Sequence, residues 1–445
     1  MRAYRFALDA TPGQRRALAS HCGAARVAHN WGLRLVEYRL EQRHAGQDVD
    51  VPWTLPGLRR EWNRAKQEVA PWWAENSKEA YSSGLDGLAR ALKNWADSRA
   101  GRRGGRPVGF PRLKKKGRTR DTCRFTTGPL RVLSDRKHVQ LPRIGVIKTH
   151  ESTRKLARRL ELGTARILAA TISRHADRWY VSFTVEAHCP IPPTNGRSNV
   201  VGVDVGIRHL AVLSTGPSFI PNPRALDQLL SKLRRLDRAV ARRQPNSKRR
   251  ARARHQLARM YARAANVRQD ALHKLTTGLA REHGAVVVEK LNLAGMLHNR
   301  RLARALADTG MGELRRQLAY KTRWYGATLV TADPFYPSSK RCSGCGWTKA
   351  KLVLAERTFK CEVCALVIDR DLNAARNLAR LAEPVVQSGW ETVNARGADV
   401  RPDMSGRSAV KREAGTGSGP DQTGTVDARA PTTRLPATCR RSESR

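Results

Sequence analysis

Val200-Val201-Gly202-Val203-Asp204-Val205-Gly206 is the stretch that decides the reading of this 445-residue chain. Its β-branched run predicts a buried strand, and one carboxylate stands inside it. A lone carboxylate in apolar surroundings costs desolvation energy unless it is paired or bound to a metal. The plainer alternative makes Asp204 a turn residue, since Gly206 follows closely.

Outward from this stretch, a second strand is predicted over residues 210–214. A third, Ala285-Val286-Val287-Val288-Glu289, again ends in one acid. Asp369-Arg370-Asp371-Leu372-Asn373 then leads into a helix predicted over residues 372–381. Taken singly, each acid has an ordinary role available: Glu289-Lys290 as a surface ion pair, Asp369 and Asp371 as helix caps. Their conjunction is more specific. A strand with a central Asp, a hairpin strand, a basic helix, a strand ending in Glu and a helix opening with Asp follow the order of an RNase H-like nuclease core. If Asp204, Glu289 and Asp371 converge, they would hold two magnesium ions, activating water on one side of a phosphodiester and stabilising the leaving oxygen on the other.

Just before the last acids stand Cys342, Cys345, Cys361 and Cys364, two Cys-x-x-Cys pairs separated by fifteen residues. That spacing is that of a zinc ribbon, and four thiolates close the coordination sphere, so the expected zinc is structural. The remaining cysteines, Cys22, Cys123, Cys189 and Cys439, are scattered and make no disulfide framework. This suits a reducing, cytoplasmic setting.

Charge sets the partner. With 84 Lys and Arg against 38 Asp and Glu, a net charge of +46 calls for a polyanion, and nucleic acid is the expected one. No apolar leader opens the chain and no stretch reaches a spanning length, so no membrane is expected. Residues 101–120 hold nine Lys or Arg and no acid, and read as a phosphate-contacting loop whose charge has no intramolecular partner. Residues 231–268 read as one long helix with fourteen Lys or Arg against the single acid Asp237.

Residues 1–12 alternate as a strand, stopped by a turn at Thr11-Pro12-Gly13, and a helical region then runs to about residue 100. Within it Trp53, Trp62, Trp72, Trp73 and Trp95 read as core anchors rather than base-stacking platforms. Residues 121–190 carry strand patterns at 131–133, 140–141 and 144–147, and a hairpin over 165–173 and 178–186, suited to a small barrel that the first strand would join. Residues 190–199 read as a linker. A helix near 311–325 and a strand over 327–331 precede the ribbon, and the tail from about 383 is too poor in apolar residues to fold.

Several segments together resemble the TnpB family, RNA-guided nucleases of insertion sequences similar to type V CRISPR effectors. They are GVDVGIRHLAVLS from Gly202, ANVRQDALHKL from Ala265, VVVEKLNLAGM from Val286, the ribbon, and DRDLNAARNLA from Asp369, with RFALDATPGQRRAL, ARVAHNWGL and VGFPRLKKK nearer the start. The resemblance implies a multidomain α/β protein: a wedge β-barrel from residues 1–12 and 101–190, and a helical recognition domain over 13–100. It further implies a RuvC-like core over 199–338 completed by a last helix at 369–382, an embedded zinc ribbon at 339–368, and a disordered tail at 383–445.

On that pattern Asp204, Glu289 and Asp371 match the family's catalytic, magnesium-binding acids; Asp371 is chosen over Asp369 because the recurring core is Asp-x-Asn. The implied partners are a guide RNA derived from the protein's own element and a DNA target, double- and single-stranded. Ala365 departs from the Gly often found after the second knuckle. Competing readings are a DNA-strand transferase on the same core, a nuclease-inactive RNA-guided DNA-binding protein, and a plain zinc-ribbon nucleic-acid binder whose acids are structural.

Overall fold

The computed structural model describes residues 1–187, 197–353 and 355–382. The linker expected at 190–199 falls mostly outside the described residues, as does the tail from 383. In chain order the elements are β1 (Arg2–Asp9), α1 (Pro12–His44), α2 (Leu55–Val69), α3 (Lys78–Arg99), β2 (Thr122–Phe125), β3 (Arg131–Val132), β4 (His138–Leu141), β5 (Gly145–Thr149), α4 (Arg154–Glu161), β6 (Ala165–His175) and β7 (Arg178–Ala187). The second half holds β8 (Val200–Asp204), β9 (His209–Leu213), β10 (Phe219–Pro221), α5 (Leu230–Arg242), α6 (Lys248–Glu282), β11 (Ala285–Val288), α7 (Leu293–Leu297), α8 (Ala303–Thr309), α9 (Met311–Tyr325), β12 (Thr328–Thr331), β13 (Thr358–Lys360), β14 (Val367–Asp369) and α10 (Arg370–Arg380).

The first sheet is antiparallel, in the order β2-β6-β7-β1-β5-β4-β3. The N-terminal strand lies inside it: Tyr4 pairs with Phe183 and Phe6 with Val181. Alternation on β7 turns Trp179, Val181, Phe183 and Val185 into the core, as a half-buried strand requires. Among the described residues no ladder joins the sheet's edges β2 and β3, so hydrogen bonds do not close it into the full barrel expected. Two corrections are local. Thr11-Pro12-Gly13 starts a helix: Thr11 Oγ1 accepts from Gln14 N at 3.3 Å while Gln14 Oε1 accepts from Thr11 N at 3.0 Å, a reciprocal cap. Residues 121–190 are not all strand, since Leu156, Ala157 and Leu160 at helical spacing bury one face of α4.

The tryptophan reading holds best at Trp62, 5% exposed, stacked on Tyr81 at 5.1 Å and edge-on to Trp31 at 5.2 Å; Trp72 is exposed. Residues 101–120 form neither helix nor strand, but their charge is not wholly unpartnered, because Arg102 Nε meets Asp97 Oδ1 at 3.1 Å.

The second sheet runs β10-β9-β8-β11-β12, with β8, β9 and β10 antiparallel and β11 and β12 parallel to β8. Its faces separate by the pleat. Val201, Val203, Val286 and Val288 pack on Leu272 and Leu279 of α6 and on Leu314 and Leu318 of α9. Val200, Ala285 and Val287 pack with Leu378 of α10. The expected single basic helix is two, parted around Pro245, with Ser247 capping α6 by accepting from Arg250 N at 3.1 Å. Among the described residues no helix is long and apolar enough to cross a membrane.

Candidate functional site: a carboxylate cavity beside a thiolate clamp

Strand register brings two of the predicted acids together. In the parallel ladder Val203 lies opposite Val288, so the next residues along each chain, Asp204 and Glu289, are neighbours across a strand spacing of about 4.8 Å. Two-residue alternation puts Asp204 on the side of Gly202, and Glu289 on that of Val287, which is the face that α10 covers. Helix α10 lies directly on β8 there: a Cβ on Gly202 would fall 1.9 Å from Ala375 O, so only glycine admits the helix at this depth. One turn before Ala375 stands Asp371. All three acids line one cavity of about 610 Å³, together with Ser338, Arg357 and Arg370.

The charge in this cavity is uneven. Burial pushes the Asp204 carboxyl up to about 8, and Glu289 and Asp371 add to the shift, while Arg370 opposes it. Ser338 Oγ donates to Glu289 Oε1. Arg370 donates to Asp371 Oδ1 from Nε at 3.3 Å and Nη2 at 3.2 Å. The two acids of the DRD segment are placed differently. Asp369 is the N-cap of α10, its Oδ1 accepting from Asp371 N at 2.9 Å and Leu372 N at 3.1 Å, whereas Asp371 faces the cavity. Three hard oxygen donors suit magnesium.

Among the described residues the four cysteines form the one group of three or more His, Cys, Asp or Glu whose ligand atoms all lie within 4.8 Å of one another. Cys342 and Cys364 Sγ are 3.6 Å apart, as are Cys345 and Cys361. Tetrahedral zinc with bonds of about 2.3 Å requires roughly 3.8 Å between sulfurs, so the set fits that ion. Gly346 turns the first knuckle at φ +84°, and Ala365 adopts φ +54° after the second, the left-handed region that glycine enters more freely.

Sequence reasoning missed the residues that join clamp to cavity. Asn373, fully buried, accepts from Ser343 N at 2.9 Å and donates to Arg341 O at 2.7 Å; Asn377, also fully buried, donates to Ser338 O at 2.8 Å. Their signal was available: two asparagines four apart on the otherwise apolar inner face of a helix.

A second cavity, of about 300 Å³, lies among α1, α3 and β2 and is lined by Arg26, Arg90, Lys114, Arg120 and Arg124. Asp121 pairs with Arg26 at 3.3 Å and Asp86 with Arg90 at 2.7 Å. Asn30 fixes Lys114 by donating to its carbonyl at 2.9 Å and accepting from its N–H at 2.8 Å. Burial, with Arg90 adding, lowers the Lys114 ammonium below its ordinary range.

Fold and site define a class, a strongly basic α/β protein with a ribbon fastened to the helix that roofs an acid-lined cavity. Comparison with known proteins gives that class a family. Residues 182–300 match a family described as "Probable transposase", residues 312–378 a "Cas12f1-like, TNB domain", and residues 1–45 a "Helix-turn-helix domain", although here that segment is β1 and the single helix α1. A protein of Mycobacterium tuberculosis named "Putative RNA-guided DNA endonuclease" is 39% identical across 97% of this chain and 94% of its own length. Proteins of the same name are 34% identical in Streptomyces pristinaespiralis, over 93% of this chain and 96% of theirs, and 28% identical in Escherichia coli, over 87% and 94%. The chain belongs to the TnpB family.

Proposed function

We propose that the protein is an RNA-guided DNA endonuclease of a transposable element, cutting phosphodiesters in the cavity under α10 by a magnesium-dependent, RuvC-like mechanism. The single observation that carries the chemistry is the Val203–Val288 register, which leaves Asp204 and Glu289 side by side below Asp371. The sheet order, three antiparallel strands followed by two parallel ones, supports reading this half as an RNase H-like core. The relatives' names support guidance by RNA.

Asp204, Glu289 and Asp371 would hold the magnesium, which when bound supplies an activated water and charge neutralisation for the leaving oxygen. The chain's own part is geometric. Ser338 orients Glu289, the Asp369 cap fixes where Asp371 points, and Gly202 lets the helix carrying Asp371 reach the strand carrying Asp204. Zinc at Cys342, Cys345, Cys361 and Cys364 would be structural, since four thiolates leave no open position.

The first sheet with β1 is read as the wedge domain and α1 to α3 as the recognition domain inserted in it. Lys114 and the arginines around it would seat phosphates of guide or target, and the exposed arginines of α5 and α6 would serve the same backbone. Base pairing then reads sequence while the protein reads shape and a short flanking motif. The guide is taken to come from the protein's own element.

The test is purification from cells carrying the whole element, sequencing of the RNA that co-purifies, and assay of DNA containing a complementary target with Mg²⁺ or with EDTA. Cutting that requires both that RNA and Mg²⁺ is expected. Cutting without RNA would overturn the guided reading, and joining of strand ends in place of hydrolysis would favour the strand-transferase reading that the "Probable transposase" match keeps open.

A further inference from the structure

Among the described residues, the three acids of the cavity make one ion pair, Arg370 with Asp371, and its setting is unusual. Arg370 is the first residue of α10, and its backbone is pinned from both sides. Asp369 caps the helix before it, and the Arg370 N–H donates to Arg357 O at 2.7 Å on the ribbon strand's approach. The Arg370 side chain is 14% exposed and that of Asp371 21%, so the pair is partly shielded from bulk water. Two guanidinium nitrogens converge on one carboxylate oxygen, and the same charge acts on Asp204 across the cavity. Glu289 and Asp371 oppose the charging of Asp204, and a cation delivered by the chain offsets that opposition without any ion bound.

We propose that Arg370 is the resident counter-ion of the acid cavity: it holds Asp371 while no divalent cation is present and must release it for one to bind, thereby setting cation affinity. The proposal rests on reading the three acids as metal ligands. Release involves the side chain alone, because the cap and the Arg357 carbonyl hold the backbone in place. Arg370 is therefore a positioning residue, with an effect on binding separable from its effect on turnover.

The experiment uses the full chain with its ribbon zinc verified by metal analysis, titrated with Tb³⁺ or Mn²⁺ as oxygen-seeking probes, with melting followed before and after loading. For Arg370→Gln, affinity is expected to rise about five- to tenfold, a size set by losing one partly buried charge-assisted pair. The cation-free melting temperature is expected to fall by a few degrees, and the gap to close at saturating cation. Unchanged or weaker affinity would overturn the proposal. Should Arg370→Gln fail to fold, Arg370→Lys decides, because lysine keeps the charge and loses the fork; affinity about two- to threefold tighter is expected, and wild-type affinity counts against the idea. Glu289→Gln separates the layers. If it leaves Tb³⁺ binding unchanged, the ligand reading itself falls; if it weakens binding while Arg370→Gln changes nothing, only the counter-ion proposal does.

Discussion

The thiolate clamp and the carboxylate cavity meet at α10, whose Asn373 reaches the one and whose Asp371 faces the other. In the clamp, four sulfurs already stand at the spacing a tetrahedral ion imposes. In the cavity, two acids come from neighbouring parallel strands and the third from a helix, with a serine and an arginine sharing their charge. The difference teaches how each would use an ion. Preassembled soft ligands suit an ion that is part of the fold, whereas spaced hard ligands with room beside them suit an ion that must also meet substrate.

The sharpest way to break the comparison is at the clamp. Cys361→Ser is expected to abolish zinc binding, and since structural zinc contributes on the order of 10 kcal/mol to folding its site, ribbon amides should lose protection in hydrogen exchange. Cleavage should vanish with it. Retention of ribbon protection without zinc would show that the clamp does not depend on its ion.

At the cavity, Asp204→Asn, Glu289→Gln and Asp371→Asn should each lower cleavage by about 10³-fold or more, roughly 4 kcal/mol of transition-state stabilisation, while leaving ribbon protection intact. Asp369→Asn should stay within a few-fold of wild type, because asparagine also caps helices. The cavity acid has a pH signature as well. The Asp204 carboxyl, raised from 3.8 to about 8, contributes stability that is complete below about pH 4 and is lost as pH rises through 8 in cation-free protein. Asp204→Asn should therefore flatten that slope and melt higher than wild type at pH 8.5, by about 1–2 kcal/mol. A parallel slope in the variant would show that Asp204 is not the group responsible.

The joint between the two regions gives a middle effect. Asn373→Ala strands the Ser343 N–H and removes a donor from Arg341 O, a loss of about 2–3 kcal/mol visible in denaturant melts. The smallest effect sharpens the clamp alone: Ala365→Gly relieves a left-handed alanine and should stabilise the ribbon by about 0.5–1 kcal/mol, read as slower zinc loss to a chelator.

Much of this was legible in the residues. Asp204 declared itself through desolvation in a run of valines, and the cysteines through spacing. The alternation of β6 and β7 gave the hairpin. What sequence order could not provide was the Val203–Val288 register, a pairing over some eighty positions that alone makes neighbours of Asp204 and Glu289. The Asp-x-Asn resemblance favoured Asp371 over Asp369, but residue type alone could not, since either Asp could cap the helix and only backbone geometry shows which carboxylate is occupied by the cap. Other features were local and still missed. Thr11-x-x-Gln14 is a capping box hidden by a Pro-Gly pair that suggests a turn, and Pro245 divides a basic run whose charge pattern reads as continuous.

The pairing of β1 with β7 has a consequence for synthesis. Residues 2–8 leave the ribosome well before their partners at 179–185, which follow nearly two hundred positions later. At about 5–20 residues per second, the nascent chain holds an unpaired strand for roughly ten to forty seconds while α1 to α3 form from local contacts. Stalled chains ending near residue 160 should accordingly show a protease-sensitive start followed by a resistant helical block, and resistance should reach the first residues only once position 187 has emerged.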